Sequence, residues 1–381
     1  ETRPLVVDPF AGGGSIPLEA LRVGADAFAS DLNPIPVLIN KVISEYIPKY
    51  RHLLVEEVSR WGKWIKQEAE KKLSVFYPKD PDRSTPIAYL WARTIICDGP
   101  GCGVEVPLIR SLWLAKRPGN SVALQIIPRP ESKSVDFQVI VNRNGKWFSQ
   151  SDMNLMIENP DFDGTVKRGA ATCPCCGYTT PITRVREQLK TRRGGANDAR
   201  LFCVVTKRET EPGRFYRLPT EHDISVIRKA TSELERRKTT HKGPLSIVPD
   251  EAISVVGSYR IIKMLLYGAT TWGDIFSPRQ ALALAELSSL VKSVAEYVSK
   301  SESPELAIPV QTCLAFVTDK MADKASSLCR WKATAEYMGG NTFGRQALPM
   351  MWDFCEASVL GEVTGDIASE VEWVEKVLQN I

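Results

Sequence analysis

A short β-branched run, Pro4-Leu5-Val6-Val7-Asp8, that stops at an acid and passes directly into Pro9-Phe10-Ala11-Gly12-Gly13-Gly14-Ser15 constrains this chain more than any other stretch. A run of this kind ending at Asp-Pro reads as a buried parallel strand reaching its carboxyl end. The three glycines supply the tight turn that must follow, because glycine tolerates positive φ and lets a ligand come close to the backbone. Ser15 is then placed to N-cap a helix from Ile16 to about Val23, closed by Gly24. A second strand, Ala25 to Leu32, ends in Ser30-Asp31-Leu32-Asn33-Pro34 and leads into a helix from about Pro36 to Tyr46. Strand, helix, strand, helix is how a doubly wound α/β sheet begins.

In such sheets ligands bind beyond the carboxyl ends of the strands, where glycine turns allow close approach and helix N-termini present free N–H groups. S-adenosylmethionine (SAM) suits a site of this kind. Backbone donors can meet its carboxylate, and its amine and sulfonium favour a nearby acid such as Asp8. Asp31 closes the next strand, where a carboxylate can accept both ribose hydroxyls, and Leu32 can cover one adenine face. The cofactor-binding set expected is therefore Asp8, Pro9, Phe10, Ala11, Gly12, Gly13 and Gly14, with Asp31, Leu32 and Asn33. The dinucleotide fingerprint fits worse, since Pro17 stands where its third glycine would be, and no Gly-Lys-Ser/Thr follows for a phosphate loop. A glycine turn with no ligand is the plain structural alternative.

Nine cysteines could suggest disulfides, but five fall in two short clusters, Cys97-Asp98-Gly99-Pro100-Gly101-Cys102 and Cys173-Pro174-Cys175-Cys176-Gly177. Pairs of the form Cys-x₄-Cys and Cys-x₂-Cys, each followed by a glycine that can turn the backbone, have metal-ligand spacing. Cys97, Cys102, Cys173 and Cys176 are expected to hold one structural Zn²⁺, with Cys175 spare. No histidine lies near in sequence, so an open catalytic position is not expected. About seventy residues separate the pairs, which requires a β-rich excursion folded between them.

Further along, Leu54, Val58, Trp61, Ile65 and Leu73 keep helical spacing, and the Pro78 to Pro86 stretch reads as a linker. Strand-like runs at Val122 to Ile127, Phe137 to Asn142 and Leu201 to Thr206 mark a β-rich insertion. Helical periodicity returns at Glu221 to Lys238, Pro278 to Lys300 and Glu305 to Lys324. The organisation expected is residues 1–77 for a SAM-binding part, 87–220 for a zinc-bearing, target-binding insert, and 221–381 for a mainly helical region. No apolar run approaches the roughly 20 residues of a bilayer span, so a soluble, cytoplasmic protein without membrane contact is expected. The net charge of +4 is concentrated: Arg184 to Arg217 holds ten Lys/Arg against four Asp/Glu. Arg184, Arg186, Lys190, Arg192 and Arg193 are accordingly expected to contact nucleic acid, a solvated surface loop being the alternative.

Three groups of residues occur in order: Val7 through Lys41 with its Asp-Pro-Phe-x-Gly-x-Gly string, the cysteine pairs, and the strings Thr271-Trp272-Gly273-Asp274-Ile275-Phe276 and Asn341-Thr342-Phe343-Gly344-Arg345-Gln346-Ala347-Leu348-Pro349. Together they resemble the prokaryotic adenine-specific DNA methylases that contain a zinc ribbon, over most of the chain. The resemblance implies a partial Rossmann-like SAM-dependent methyltransferase sheet with a β-rich zinc-ribbon insertion and a helical region. It also implies Asp8, Phe10, Gly12, Gly14 and Asp31 at the cofactor, DNA as partner, and methyl transfer to adenine N6. One departure matters. Amino-methyltransferases use an Asp/Asn/Ser-Pro-Pro-Tyr/Phe loop to hold the target amine and stack on the flipped base, and this sequence has none. Asn159-Pro160-Asp161-Phe162 lacks the second proline and reads as a turn. No catalytic residue is therefore assigned. The expectation is a chain that stops before that loop, completed by a second chain, or else a noncatalytic SAM- and nucleic-acid-binding subunit. An RNA or protein acceptor stays open.

Overall fold

The computed structural model describes residues 2–254, 261–361, 363 and 365–380. The protein is mixed α/β with several sheets and helices, and its contacts divide it into two compact units. One unit takes Glu1–Lys72, Glu286–Lys320 and Ile367–Ile381; the other takes Leu73–Ala285 and Met321–Asp366. The region after residue 221 thus contributes to both.

In the first unit, strand Leu5–Asp8 pairs in parallel with Asp26–Ala29, and helix Ser15–Arg22 crosses between them. The expectation that Ser15 caps this helix is corrected: Ser15 is its first residue, and Gly14 holds the cap position at φ 80° with no side-chain cap. Only glycine fits there, since a Cβ would lie 2.8 Å from the Asn40 side-chain oxygen. The second strand stops at Ala29, short of Leu32, because Asp31 and Asn33 turn the chain into the next helix. The Asp31 carboxylate accepts from the Asn33 N–H (2.9 Å) and the Asn33 side chain accepts from Ile35 (3.0 Å). That helix, Pro34–Lys41, begins at a proline, whose missing N–H costs nothing in a first turn.

A π-turn, Val42–Tyr46, joins it to helix Ile47–Leu73, whose line is broken at Arg51 (φ 48°, ψ −129°). Leu54, Val58, Trp61, Ile65 and Ala69 form its buried stripe. Gly62 permits close approach of helix Ile367–Asn380, for a Cβ there would meet Val371 at 2.3 Å. Leu5, Val7 and Phe28 remain exposed, although parallel sheets are normally covered on both faces. Among the described residues no helix is long and apolar enough to cross a membrane.

In the second unit, the twelve-residue strand Thr85–Ile96 is the centre of the core. Antiparallel strands Arg200–Lys207 and Asp353–Ala357 flank it, Phe215–Arg217 extends the former, and Glu105–Leu108 pairs with its far end. The β-rich excursion is an antiparallel meander of Trp113–Ala115, Val122–Arg129, Ser134–Arg143, Lys146–Ser149 and Met156–Ile157. Its inner face, Leu124, Val135, Phe137 and Val139, joins the same core. The Pro78 to Pro86 stretch is no loose linker: Arg217 grips Asp80 (2.6 Å) and Asp223 (2.7 Å), and Thr85 already belongs to the central strand.

Two buried arginines tie the core to distant loops. Arg93, in the central strand, donates to the carbonyls of Gly194 (2.6 Å) and Met351 (2.5 Å) and to the Ser327 hydroxyl (2.8 Å). Burial pushes it down to about 9, which leaves it charged at neutral pH. Arg279 pairs with Glu356 at 2.6 Å, both buried, and lies over the rings of Tyr77 and Tyr89. Burial, then Glu356, pushes the Tyr77 phenol well up. Breaking such a pair from one side leaves an uncompensated buried charge, at roughly 3–5 kcal/mol. Arg279→Met and Glu356→Leu are each expected to destabilise by about that much in urea unfolding, and the double variant by far less than the sum; additive losses would contradict this account.

Candidate metal centre and cofactor loop

Cys97 stands immediately after the central strand and Cys102 shortly before strand Glu105–Leu108. Cys173 follows strand Ala170–Thr172, and Cys176 precedes Thr179–Thr180. Two turns thus present two sulfurs each. Gly103 and Gly177, each directly after the second cysteine of its pair, have φ of 64° and 73°, so the expected glycine turns are present.

All four Sγ atoms lie within 4.8 Å of one another, with Cys97 to Cys176 at 3.6 Å and Cys102 to Cys173 at 3.7 Å. A tetrahedral ion with bonds of about 2.3 Å to sulfur needs S···S separations of about 3.8 Å. The four thiols therefore form a cluster that can hold a metal ion, as their spacing implied. Backbone N–H groups aim at the sulfurs: Gly99 donates to Cys97 at 3.3 Å, and Val104 and Tyr178 donate to Cys102 and Cys176. Burial pushes the Cys97 and Cys102 thiols up, while the Tyr178 N–H draws Cys176 down. Positive charge at the centre would offset the cost of burying thiolates. Cys175 points elsewhere, its thiol 3.6 Å from the Ser134 carbonyl.

The glycine loop is tied to the second acid. The Asp31 carboxylate accepts from the Gly12 N–H at 3.0 Å as well as from Asn33, and these bonds, Asn33 first, hold it below the usual carboxylate range. Asp8 is buried and caps its own turn through the Phe10 N–H (3.1 Å). The loop continues along the sheet, with Ala11 N–H donating to Ser30 and Ser30 N–H to Asp8. Gly13 faces open space, where a Cβ would meet nothing within 4 Å, so the turn presents bare backbone. Phe10 and Leu32 stand 83% and 97% exposed on either side. Pro9 and Asn33 complete the turns.

Sequence reading missed Asn40. Its amide donates to the carbonyls of Gly12 (3.1 Å) and Pro36 (2.8 Å), and its buried oxygen has no partner beside Gly14. A lone asparagine in the apolar string Pro34-Ile-Pro-Val-Leu-Ile-Asn40 was the available signal. A cleft of about 280 Å³ along Ala27–Ser30 and this helix is lined in part by Asn40.

Three of the five basic residues expected at nucleic acid, Arg184, Arg192 and Arg193, are ion-paired within the fold, with side chains 51%, 27% and 58% exposed. Arg184 pairs with Asp98 (3.0 Å) and Glu187 (2.5 Å), Arg192 with Asp198 (2.5 Å) and the Thr94 carbonyl (2.6 Å), and Arg193 with Asp274 (2.8 Å). Arg186 lies over the Tyr267 ring, and Lys190 is exposed. The segment turns between helix Ile182–Lys190 and strand Arg200–Lys207, where acids and carbonyls of neighbouring elements lie within reach of its charges.

Comparison of the chain with models of known protein families, with curated proteins and with solved structures found no match.

Cys97→Ser or Cys176→Ser should reduce the metal recovered with the purified protein to well under one equivalent by elemental analysis. Cys175→Ser should retain it fully. Loss of metal in the Cys175 variant would redraw the ligand set.

Proposed function

We propose that this chain is the SAM- and DNA-binding portion of an adenine-specific (N6) DNA methyltransferase, with a structural zinc at the four cysteines and a partial Rossmann-like sheet. The observation that carries the reading is the bond from the Gly12 N–H to the Asp31 carboxylate. It joins the glycine turn after one strand to the acid after its parallel neighbour, which is where open α/β sheets bind nucleosides. In this reading Asp8 and Asp31 would supply the negative charge that a sulfonium and an α-amine favour. Asp31 would retain acceptor capacity for ribose hydroxyls, since a carboxylate offers about four lone-pair directions. The bare backbone at Gly13 and the unpartnered Asn40 oxygen are further polar groups available to a ligand. When bound, SAM supplies the methyl group.

The target amine would be handled by an Asp-Pro-Pro-Tyr-type loop, supplied in this reading by a segment outside these 381 residues or by a partner chain. A noncatalytic binding module is the second reading, favoured by that same missing motif. Methyl transfer to DNA by this chain with and without a chain carrying the motif separates the two, activity confined to the mixture supporting the split enzyme.

Calorimetric titration tests the cofactor site directly. Removing a charged acceptor costs about 1.5–3 kcal/mol, so Asp31→Ala is expected to weaken SAM binding roughly tenfold or more with metal content unchanged. The pH dependence has a defined sign. Because the Asp31 carboxyl is depressed, its contribution is present above its ordinary titration range and is lost only as pH falls through the lowered value. Binding that depends on Asp31 should therefore persist at pH 5. No heat from a folded, metal-loaded sample would end the proposal.

A further inference from the structure

The two strings Thr271–Phe276 and Asn341–Pro349 lie about seventy residues apart, and nothing in the cofactor loop or the metal centre uses them. The fold brings their aromatic residues together in one unit, with the rings of Trp272 and Phe343 6.3 Å apart and tilted by 54°. Neither ring is buried, and Phe343 is 50% exposed. The backbone under each ring is fixed. Asp274 accepts from the N–H groups of Thr270 and Thr271 (both 2.9 Å), closing a capping box. Asp323 accepts from the Phe343 N–H (2.7 Å), and the buried Thr342 hydroxyl donates to the Asp323 carbonyl (2.7 Å). Gly273 lets residues 248–249 pack close, since a Cβ there would meet the Pro249 carbonyl at 2.6 Å.

A cavity of about 570 Å³ opens beside this pair, lined on one side by Thr271, Gly273 and Asp274, the neighbours of Trp272. Its charged groups are two pairs, Arg193 with Asp274 at 2.8 Å and Lys238 with Glu235 at 2.7 Å, and Asp250, which accepts from the Ser246 hydroxyl at 2.5 Å. Asn197, Thr231 and His241 add further hydrogen-bonding groups. A lining whose cations are paired and whose remaining carboxylate is hydrogen-bonded suits a neutral, hydrogen-bonding ring better than an anion. Cations stand at hand for a phosphate backbone. The Arg193 side chain is 58% exposed despite its pairing, and Arg345 is exposed on the same loop as Phe343.

We propose that Trp272, Phe343 and the adjoining cavity form a binding groove for single-stranded DNA, in which the two rings stack on bases and the cavity receives a nucleobase. Ring faces on rigid backbone with flanking arginines are what sequence-tolerant single-strand binding uses, and a paired duplex keeps its base faces hidden. The inference rests on the DNA-directed reading above, and of the arginines of 184–193 it uses Arg193 alone.

The test is fluorescence anisotropy of a labelled mixed-sequence 12-mer, with matching duplex and RNA arms, at fixed salt. Trp272→Ala/Phe343→Ala is expected to weaken single-strand binding about tenfold or more, whereas Trp272→Phe/Phe343→Tyr stays within about threefold of the parent. The exposed Arg345→Ala does not threaten folding and should lower the salt-dependence slope by about one phosphate's worth. Equal binding by the parent and the alanine pair, tighter binding of duplex or RNA, or no binding at all would each overturn the groove. Should the alanine pair fail to fold, an unchanged slope for Arg345→Ala overturns it instead. SAM titration on the same samples keeps the two readings apart, since loss of the cofactor site leaves the ring-dependent affinity in place.

Discussion

Four cysteine sulfurs held within 4.8 Å of one another are the constraint on which the second unit depends. As thiols they would gain only weak contacts, and as bare thiolates they would repel. A shared cation would turn the same geometry into a cross-link between the turn after the central strand and a small hairpin, Cys102 and Cys173 lying 71 residues apart. The elements around it agree on that geometry. Gln188 pairs with both the N–H and the carbonyl of Ile96, Arg184 reaches Asp98, and Gly99 leaves room for Tyr178. The helix after the second cysteine pair is thereby docked on the strand that carries the first.

Much of this unit was legible from residue spacing, because its determinants are local. Strand-like runs marked two of the meander strands, Val122–Arg129 and Ser134–Arg143, which extend two and four residues beyond the runs Val122 to Ile127 and Phe137 to Asn142, while Trp113–Ala115, Lys146–Ser149 and Met156–Ile157 were not marked. Cysteine pairs followed by glycine named their own turns. What spacing could not show was where charge goes. Arg184, Arg192 and Arg193 read as part of a local basic stretch, and their partners Asp98, Asp198, Thr94 and Asp274 come from several elements. The position of an arginine in a string says nothing about which acid the fold will bring to it. The buried pair Arg279 and Glu356, 77 residues apart, was invisible for the same reason.

The first unit divides differently. Its glycine turn and paired acids were readable, and Asp31 and Gly12 do meet. The helix cap was misassigned because serine is the commoner capping residue. Asn40 excludes any side chain at position 14, which leaves glycine to start the helix with its backbone alone. Asn40 itself escaped notice since its partners, Gly12 and Pro36, lie one on a different element and one a helical turn away. The doubly wound sheet was expected from two strands and two helices; among the described residues those two strands pair in parallel as a sheet of two, with no further strand beside them.

The meander between the cysteine pairs leaves and re-enters the fold at nearly the same point. Its ends are joined by backbone bonds, from the Leu112 N–H to the Phe162 carbonyl (3.2 Å) and from the Val166 N–H to the Ile109 carbonyl (3.1 Å), and are not set by its own length. Loop-closure entropy grows only logarithmically, so doubling the excursion would cost about 0.6 kcal/mol beyond what the clamp already imposes. The meander is in this respect a module hung from a fixed bracket. Strands can be added to or taken from its outer edge, where Met156–Ile157 now ends it, without disturbing the central strand that supports the core.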